Sequence, residues 1–352
     1  MGKHLLQGRG LYVGLFIIVV LLYAHLLVTG SPMKALSDTK HEMAASLAAP
    51  KHAPSKEMTL AEVQTAAGRH PRLGLMLIGW GLIVLGLGLG GVVLTIRAWL
   101  RGRFQRVLRY RSRLPYLWSL HDIGRLFLLL LMVFSLLPFV NLGLIAWGLL
   151  RLTDTRLWML LAMFLLEVFL VLFVWGFASA RRLSLSKALG LSWRKSPRAI
   201  WHGLVAYMTM FPWVFGFLWL IGQVCEWFSW QPPVEPIQTL LFQEHDPLIV
   251  GLTLVLSCVV GPIVEEIFFR GLIFSALRRH SSRLVAMVVS ASLFAAAHTN
   301  LVGFVPILVL GCLLAYLYER TGSLMGPMAV HIVHNGLLVG LAMTMKALVG
   351  HG

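Results

Sequence analysis

Residues 73–96 read LGLMLIGWGLIVLGLGLGGVVLTI. These 24 residues carry no charged side chain, and about 20 apolar helical residues suffice to cross a hydrocarbon core. Stretches 11–29, 126–150 and 157–177 read the same way. The composition agrees, with 58% hydrophobic and 12% charged residues and a mean hydropathy of +0.80. A soluble domain carries about a quarter charged residues, so this chain cannot cover a water-facing surface. Its 352 residues leave room for eight or nine such helices. The expected class is all-α: a polytopic membrane helix bundle of about nine transmembrane helices, or eight if the first is cleaved.

The net charge of +16 invites a nucleic-acid reading, but its placement argues otherwise. Arg97, Arg101, Arg103, Arg106, Arg109, Arg111 and Arg113 directly follow one apolar span. Arg181, Arg182, Lys187, Arg194, Lys195 and Arg198 lie between two others. Basic residues confined to short connecting loops mark the cytoplasmic side, and they suit anionic lipid headgroups better than nucleic acid, for which there is no motif. Spans at about 11–29, 73–96, 124–150, 157–178, 201–225, 247–277, 284–300, 303–319 and 324–347 then alternate consistently. The N-terminus falls in the cytoplasm and the C-terminus outside, in a multi-pass protein of the cell membrane.

Within residues 1–29 the apolar run Leu11–Val28 follows Lys3 and Arg9 and is longer than that of a cleaved signal, which favours a retained signal-anchor helix. Residues 30–71 read as a flexible extracytoplasmic polar loop. Within it His41-Glu42 lacks the second histidine of a zinc-protease HExxH, because position 45 is Ala45. Gly86, Gly88 and Gly91 spell a dinucleotide fingerprint, but inside a membrane span small residues serve helix packing. Cys225, Cys258 and Cys312 form neither a disulfide framework nor a zinc cluster by spacing.

Ionisable groups inside spans are costly and need a reason. The span at 247–277 holds Pro262-Ile-Val-Glu265-Glu266-Ile-Phe-Phe-Arg270-Gly271. The next holds Phe294-Ala-Ala-Ala-His298, and the last holds His331-Ile-Val-His334-Asn335. Residues four apart share a helix face, so Glu266 can pair with Arg270, leaving Glu265 to face elsewhere. His331 and Asn335 project together, as do Phe294 and His298. Glu265 lies about 20 Å along its helix from Arg278, His298 about 22 Å from Arg283, and His331 about 16 Å from Arg320. Three helices thus bring polar groups to comparable depth. A carboxylate beside a histidine can hold and deprotonate water. A second histidine and an asparagine amide can donate to the oxyanion formed when water attacks a peptide carbonyl. Plainer readings stand beside this one. Glu265, Glu266 and Arg270 alone would make an interhelical ion-pair node. His334 and Phe294 read as packing residues, and Glu167 as a polar contact inside the bundle.

The ordered motifs Glu-Glu-x-x-x-Arg, Phe-x-x-x-His and His-x-x-x-Asn resemble the CPBP family. That family includes the type II CAAX prenyl endopeptidases, bacteriocin-processing enzymes and Abi immunity proteins. The text Gly261–Leu277 and Ala315-Tyr-Leu-Tyr-Glu-Arg-Thr-Gly-Ser-Leu through Asn335 resembles it too. The resemblance covers roughly 250–345 and implies catalytic helices at 247–347; residues 72–246 are transmembrane helices of unrecognised type. It implies an intramembrane endopeptidase acting on a membrane-tethered or lipidated peptide or protein. By it, Glu265 activates water with His298, His331 and Asn335 bind the oxyanion, and Glu266 and Arg270 support them. A metal-free mechanism is favoured, since asparagine is a poor zinc ligand. The alternative is zinc on Glu265, His298 and His331 with an open fourth position. A non-catalytic immunity or scaffold protein of the same fold, or an ion-coupled transporter, are the competing functions.

Overall fold

The computed structural model describes residues 9–29, 60–102, 114, 117–146, 155–191, 196–229, 244–298 and 302–350. Segments 30–59, 103–113 and 230–243 lie outside the described residues, and with them most of the polar loop and Arg103–Arg113. Every element among the described residues is helical. Helices α1 (Arg9–Thr29), α2 (Leu60–Arg69), α3 (Pro71–Leu100), α4 (Leu120–Ala146) and α5 (Thr155–Ala180) come first. The short α6 (Leu185–Ala188) precedes α7 (Ser196–Trp227). Then follow α8 (Pro247–His280), α9 (Arg283–Ala297), α10 (Phe304–Thr321) and α11 (Met325–Gly350).

Each of the nine expected spans has a helix. Among the described residues six stretches are long and apolar enough to cross a membrane: Pro71–Leu100, Leu160–Ala180, Ser196–Trp227, Pro247–His280, Phe304–Thr321 and Met325–Leu348. Helix α9 has only 15 residues, about 22 Å at helical rise, which is short of a hydrocarbon core of roughly 30 Å. The sequence places His298 inside this span; the structure ends the helix at Ala297 and makes His298 its C-cap. The polar-loop expectation also fails over 60–69, which is helical. Leu60, Val63, Ala66 and Ala67 form a short apolar stripe there, diluted in sequence by polar neighbours. The stripe buries Ala66 and lets α2 pack on α3 and α11.

Two compact units emerge. One comprises 1–56 and 119–184, with α1, α4 and α5. In it Tyr23 packs edge-on against Phe139, and Arg181 pairs with Asp122 at 2.7 Å. The other comprises 57–118 and 185–352 and holds all the motif residues. Its core is Tyr207, Leu310, Leu314, Leu317 and Val330, where α7, α10 and α11 meet. Small residues permit that approach. A Cβ on Gly326 would lie 2.8 Å from the Ala199 carbonyl, and one on Gly203 would lie 3.1 Å from the Gly326 carbonyl. Such close backbone contact replaces the hydrophobic drive that lipid removes.

The turn after α6 is the tightest junction. Gly190 adopts φ +66, and a Cβ there would sit 1.9 Å from the Gly322 carbonyl. Its neighbour Leu189 is fully buried and reaches Gly271 on α8. Gly190→Ala is therefore expected to destabilise the unit by more than about 1 kcal/mol, read as a lower unfolding midpoint in detergent. An unchanged midpoint would contradict the junction.

Candidate active site

Helix α8 is not a uniform α-helix. It changes to π-helix over Leu256–Val260, returns to α-helix over Gly261–Glu265, and is π again over Glu266–Phe274. Proline explains the first change. Pro262 has no N–H, so the Cys258 carbonyl loses its ordinary partner. The Gly261 N–H instead reaches five residues back to Leu256. π-Segments concentrate at functional sites, and here the two bracket the paired glutamates.

Glu266 points into the bundle and is fully buried. Its Oε1 accepts from Arg270 at 2.6 Å and from His331 Nδ1 at 2.9 Å. Arg270 is equally buried, donates to the Gly311 carbonyl at 3.3 Å, and lies 4.2 Å from the centre of the Phe294 ring. Gly311 has to be glycine-sized, because a Cβ would fall 2.9 Å from Ala291 and 3.3 Å from the guanidinium. Phe294 also packs edge-on against His298 and His331, at 4.6 and 5.5 Å. One aromatic ring thus contacts the Arg270 guanidinium and both imidazoles.

Glu265 lies about 100° round the helix from Glu266 and approaches His331 from its other ring nitrogen. Its Oε2 lies 3.9 Å from His298 Nε2 and 3.6 Å from His331 Nε2. Both gaps exceed a direct hydrogen bond, and this enclosed oxygen has no hydrogen-bond partner among the described residues. The ring protons can be assigned by chemistry. His298 Nδ1 bonds the Phe294 carbonyl at 2.8 Å, and a carbonyl only accepts. His331 Nδ1 bonds Glu266, an ionised carboxylate held by Arg270, which also only accepts. With Nδ1 donating, each imidazole turns its Nε2 toward Glu265. Three acceptors converge on one gap. The gap is unevenly enclosed: the Glu265 and His298 side chains are 35% and 30% exposed, against 2% for His331.

Asn335 sits one turn beyond His331 and donates through Nδ2 to the Ser257 carbonyl at 2.9 Å. His334 turns away to Tyr207 Oη at 2.9 Å, a contact between α11 and α7. The donor types at Glu265, His298 and His331 suit zinc. Yet among the described residues no group of three or more His, Cys, Asp or Glu side chains is arranged to hold a metal ion.

The sequence reading missed three partners. It did not foresee the Glu266–His331 bond or the Ser257 carbonyl. It also passed over Glu319, which is fully buried and bonds Arg278 at 2.7 Å and Arg283 at 3.3 Å. That carboxylate ties α10 to α8 and to the start of α9. An acidic residue in an apolar span, with two arginines at the neighbouring helix ends, was the available signal.

Removing one partner of a buried ion pair strands the other. Arg270→Ala is expected to cost about 3–5 kcal/mol of stability, whereas Arg320→Ala at an exposed position should stay within about 0.5 kcal/mol. Thermal unfolding of both variants in detergent checks this. Equal small shifts would mean that Glu266 is not an enclosed charge.

Comparisons with known proteins concern this same region. The chain is 34% identical over 90 residues to "Putative membrane peptidase YdiL" of Bacillus subtilis (strain 168), covering 26% of this chain and 37% of that protein. It is 30% identical over 115 residues to "Uncharacterized 24.3 kDa protein" of Escherichia coli, covering 31% and 53%. It is 32% identical over 88 residues to "Membrane-embedded CAAX protease MroQ" of Staphylococcus aureus (strain USA300), covering 23% and 35%. The matched stretches thus span about a third to a half of these relatives' own lengths. No solved structure matches. Residues 247–337, which carry Glu265, Glu266, Arg270, His298, His331 and Asn335, match the family described as "Type II CAAX prenyl endopeptidase Rce1-like".

Proposed function

We propose that the chain is an intramembrane endopeptidase that hydrolyses a peptide bond of a membrane-associated or lipidated protein or peptide, using a water activated by Glu265 and His298. The observation that carries this reading is the convergence of Glu265 Oε2, His298 Nε2 and His331 Nε2 on one gap. Three lone pairs facing each other repel unless a proton-bearing guest lies between them. A water molecule donates two protons and satisfies two of them at once.

In this mechanism the water oxygen attacks the scissile carbonyl carbon while Glu265 takes its proton. The C–O bond forms, and the carbonyl oxygen becomes an oxyanion. Asn335 has a second amide N–H to offer it. His331 is the second group proposed to face that oxyanion. The C–N bond then breaks, and the proton held by Glu265 passes to the leaving amine. Glu266 and Arg270 act at one remove by holding His331 through its Nδ1. Zinc on Glu265, His298 and His331 is the alternative, supplying a Lewis acid at the same place; no step above is routed through it.

The basic clusters at Arg278, Arg279 and Arg283, and at Arg320, put the nearer mouth of the site on the cytoplasmic side by the charge rule. The N-terminus is then cytoplasmic. A second reading has one observation in its favour. The Glu266–Arg270 node would knit these helices together with or without chemistry, as a membrane scaffold or immunity protein needs.

Mass-spectrometric mapping of new N-termini on membranes expressing wild type or Glu265→Ala decides between the two. The peptidase reading expects a set of cleavages present with wild type and lost with Glu265→Ala, with losses of a hundredfold or more for His298→Ala. Identical N-termini in all three sinks the peptidase and leaves the scaffold. Metal analysis of the same purified wild-type protein separates the two mechanisms: a stoichiometric zinc that is lost in His298→Ala would replace the water-only scheme.

A further inference from the structure

Two interhelical bonds straddle Glu265. Just after it, His331 Nδ1 reaches Glu266 at 2.9 Å. Eight residues before it, Asn335 Nδ2 reaches the Ser257 carbonyl at 2.9 Å. A main-chain carbonyl within a helix is ordinarily taken by an N–H four residues on, or five in a π turn. For Ser257 these are Gly261 and Pro262. The Gly261 N–H is committed to Leu256, and Pro262 has no N–H to give. Both helical donors are therefore withheld from Ser257, and Asn335 supplies one from another helix.

We infer that Pro262 is a positioning residue that acts through Asn335: by withholding an N–H, it leaves the Ser257 carbonyl as a docking point that orients the Asn335 amide. An amide held by one N–H has its other N–H and its oxygen directed, because the group is planar. Without the carbonyl the side chain turns about its terminal bonds, and its second N–H is aimed at nothing in particular. Pro262 is itself buried and lies three residues ahead of Glu265. The residue that displaces the ladder thus lies between the released carbonyl and the candidate base on α8. The effect on cleavage rests on the peptidase reading; the bond between Asn335 and Ser257 does not.

The inference separates the missing N–H from the proline ring. The three proteins to compare, in lipid bilayers, are wild type, Pro262→Ala, and a variant with lactic acid at 262 introduced by nonsense suppression. Lactate makes an ester, which lacks both the ring and the N–H. Serine labelled at its carbonyl carbon and cysteine labelled at its amide nitrogen mark the 257–258 peptide alone, since Ser-Cys occurs once in the chain. Labelled asparagine side-chain nitrogen supplies the partner. Solid-state NMR should show transfer between the Ser257 carbonyl and the Asn335 amide in wild type, its loss in Pro262→Ala, and its return with lactate. N-terminus mapping should follow the same order, with Glu265-dependent cleavage falling on the order of a hundredfold in Pro262→Ala and recovering with the ester. Alanine is the better helix former, so the variant keeps α8. Persistence of the transfer in Pro262→Ala overturns the inference, as does its loss in the lactate protein, which would assign the effect to the ring. Cleavage unaffected by Glu265→Ala, with the NMR pattern as expected, overturns the peptidase reading and leaves the docking of Asn335 standing.

Discussion

Glu266 is a carboxylate sealed from both water and lipid, and such a group persists only if its charge is answered on the spot. Arg270 answers it from one helical turn away, and this pair dictates what surrounds it. The guanidinium needs further acceptors and finds the Gly311 carbonyl, which brings α10 close. Its face needs a π surface and finds Phe294 on α9. The remaining lone pair of the shared oxygen draws His331 from α11. Four helices are thereby registered against one charge, and the geometry around Glu265 follows from that registration.

Much of this was legible in the sequence because membrane burial makes charge conspicuous. A glutamate and an arginine four residues apart in an apolar span pair across one turn, as they do here. The neighbouring position turns Glu265 about 100° round the helix, toward the two histidines. The helices were legible for a related reason: runs without charge cannot end in lipid. What escaped was anything that periodicity does not encode. The helix at 60–69 has too few apolar residues to stand out from a polar loop. The end of α9 at Ala297 carries no breaker in Phe294-Ala-Ala-Ala-His298, so nothing marked His298 as a cap. The Ser257 carbonyl bears no side-chain signature at all. It becomes visible only once Pro262 is placed in a helix whose ladder has shifted.

The polar contacts of the second unit divide by accessibility. Those made by Glu266, Arg270 and Glu319 are fully enclosed and hold helices together. Those made by Glu265 and His298 remain about a third open. A purely architectural arrangement would gain by closing the second group as completely as the first, since a half-hidden carboxylate forfeits solvation without a full partner. This uneven treatment of adjacent glutamates is what separates the gap from the packing around it.

The π segments of α8 also make chain length itself a constraint. A π turn accommodates more residues than an α turn, so each segment can be understood as an α-helix carrying surplus chain. Losing a single residue between Glu266 and Phe274 would draw on that surplus, whereas losing one from the α-helical stretch Ser275–His280, which has none to give, would rotate everything beyond it by about 100°. Arg278 would then swing off Glu319, and the connection into α9 would leave from the wrong side. Substitutions along this helix are negotiable one by one, but insertions and deletions are not. Relatives that keep the site should therefore keep the same number of residues from the end of the second π segment to the inner arginines, however far their side chains diverge.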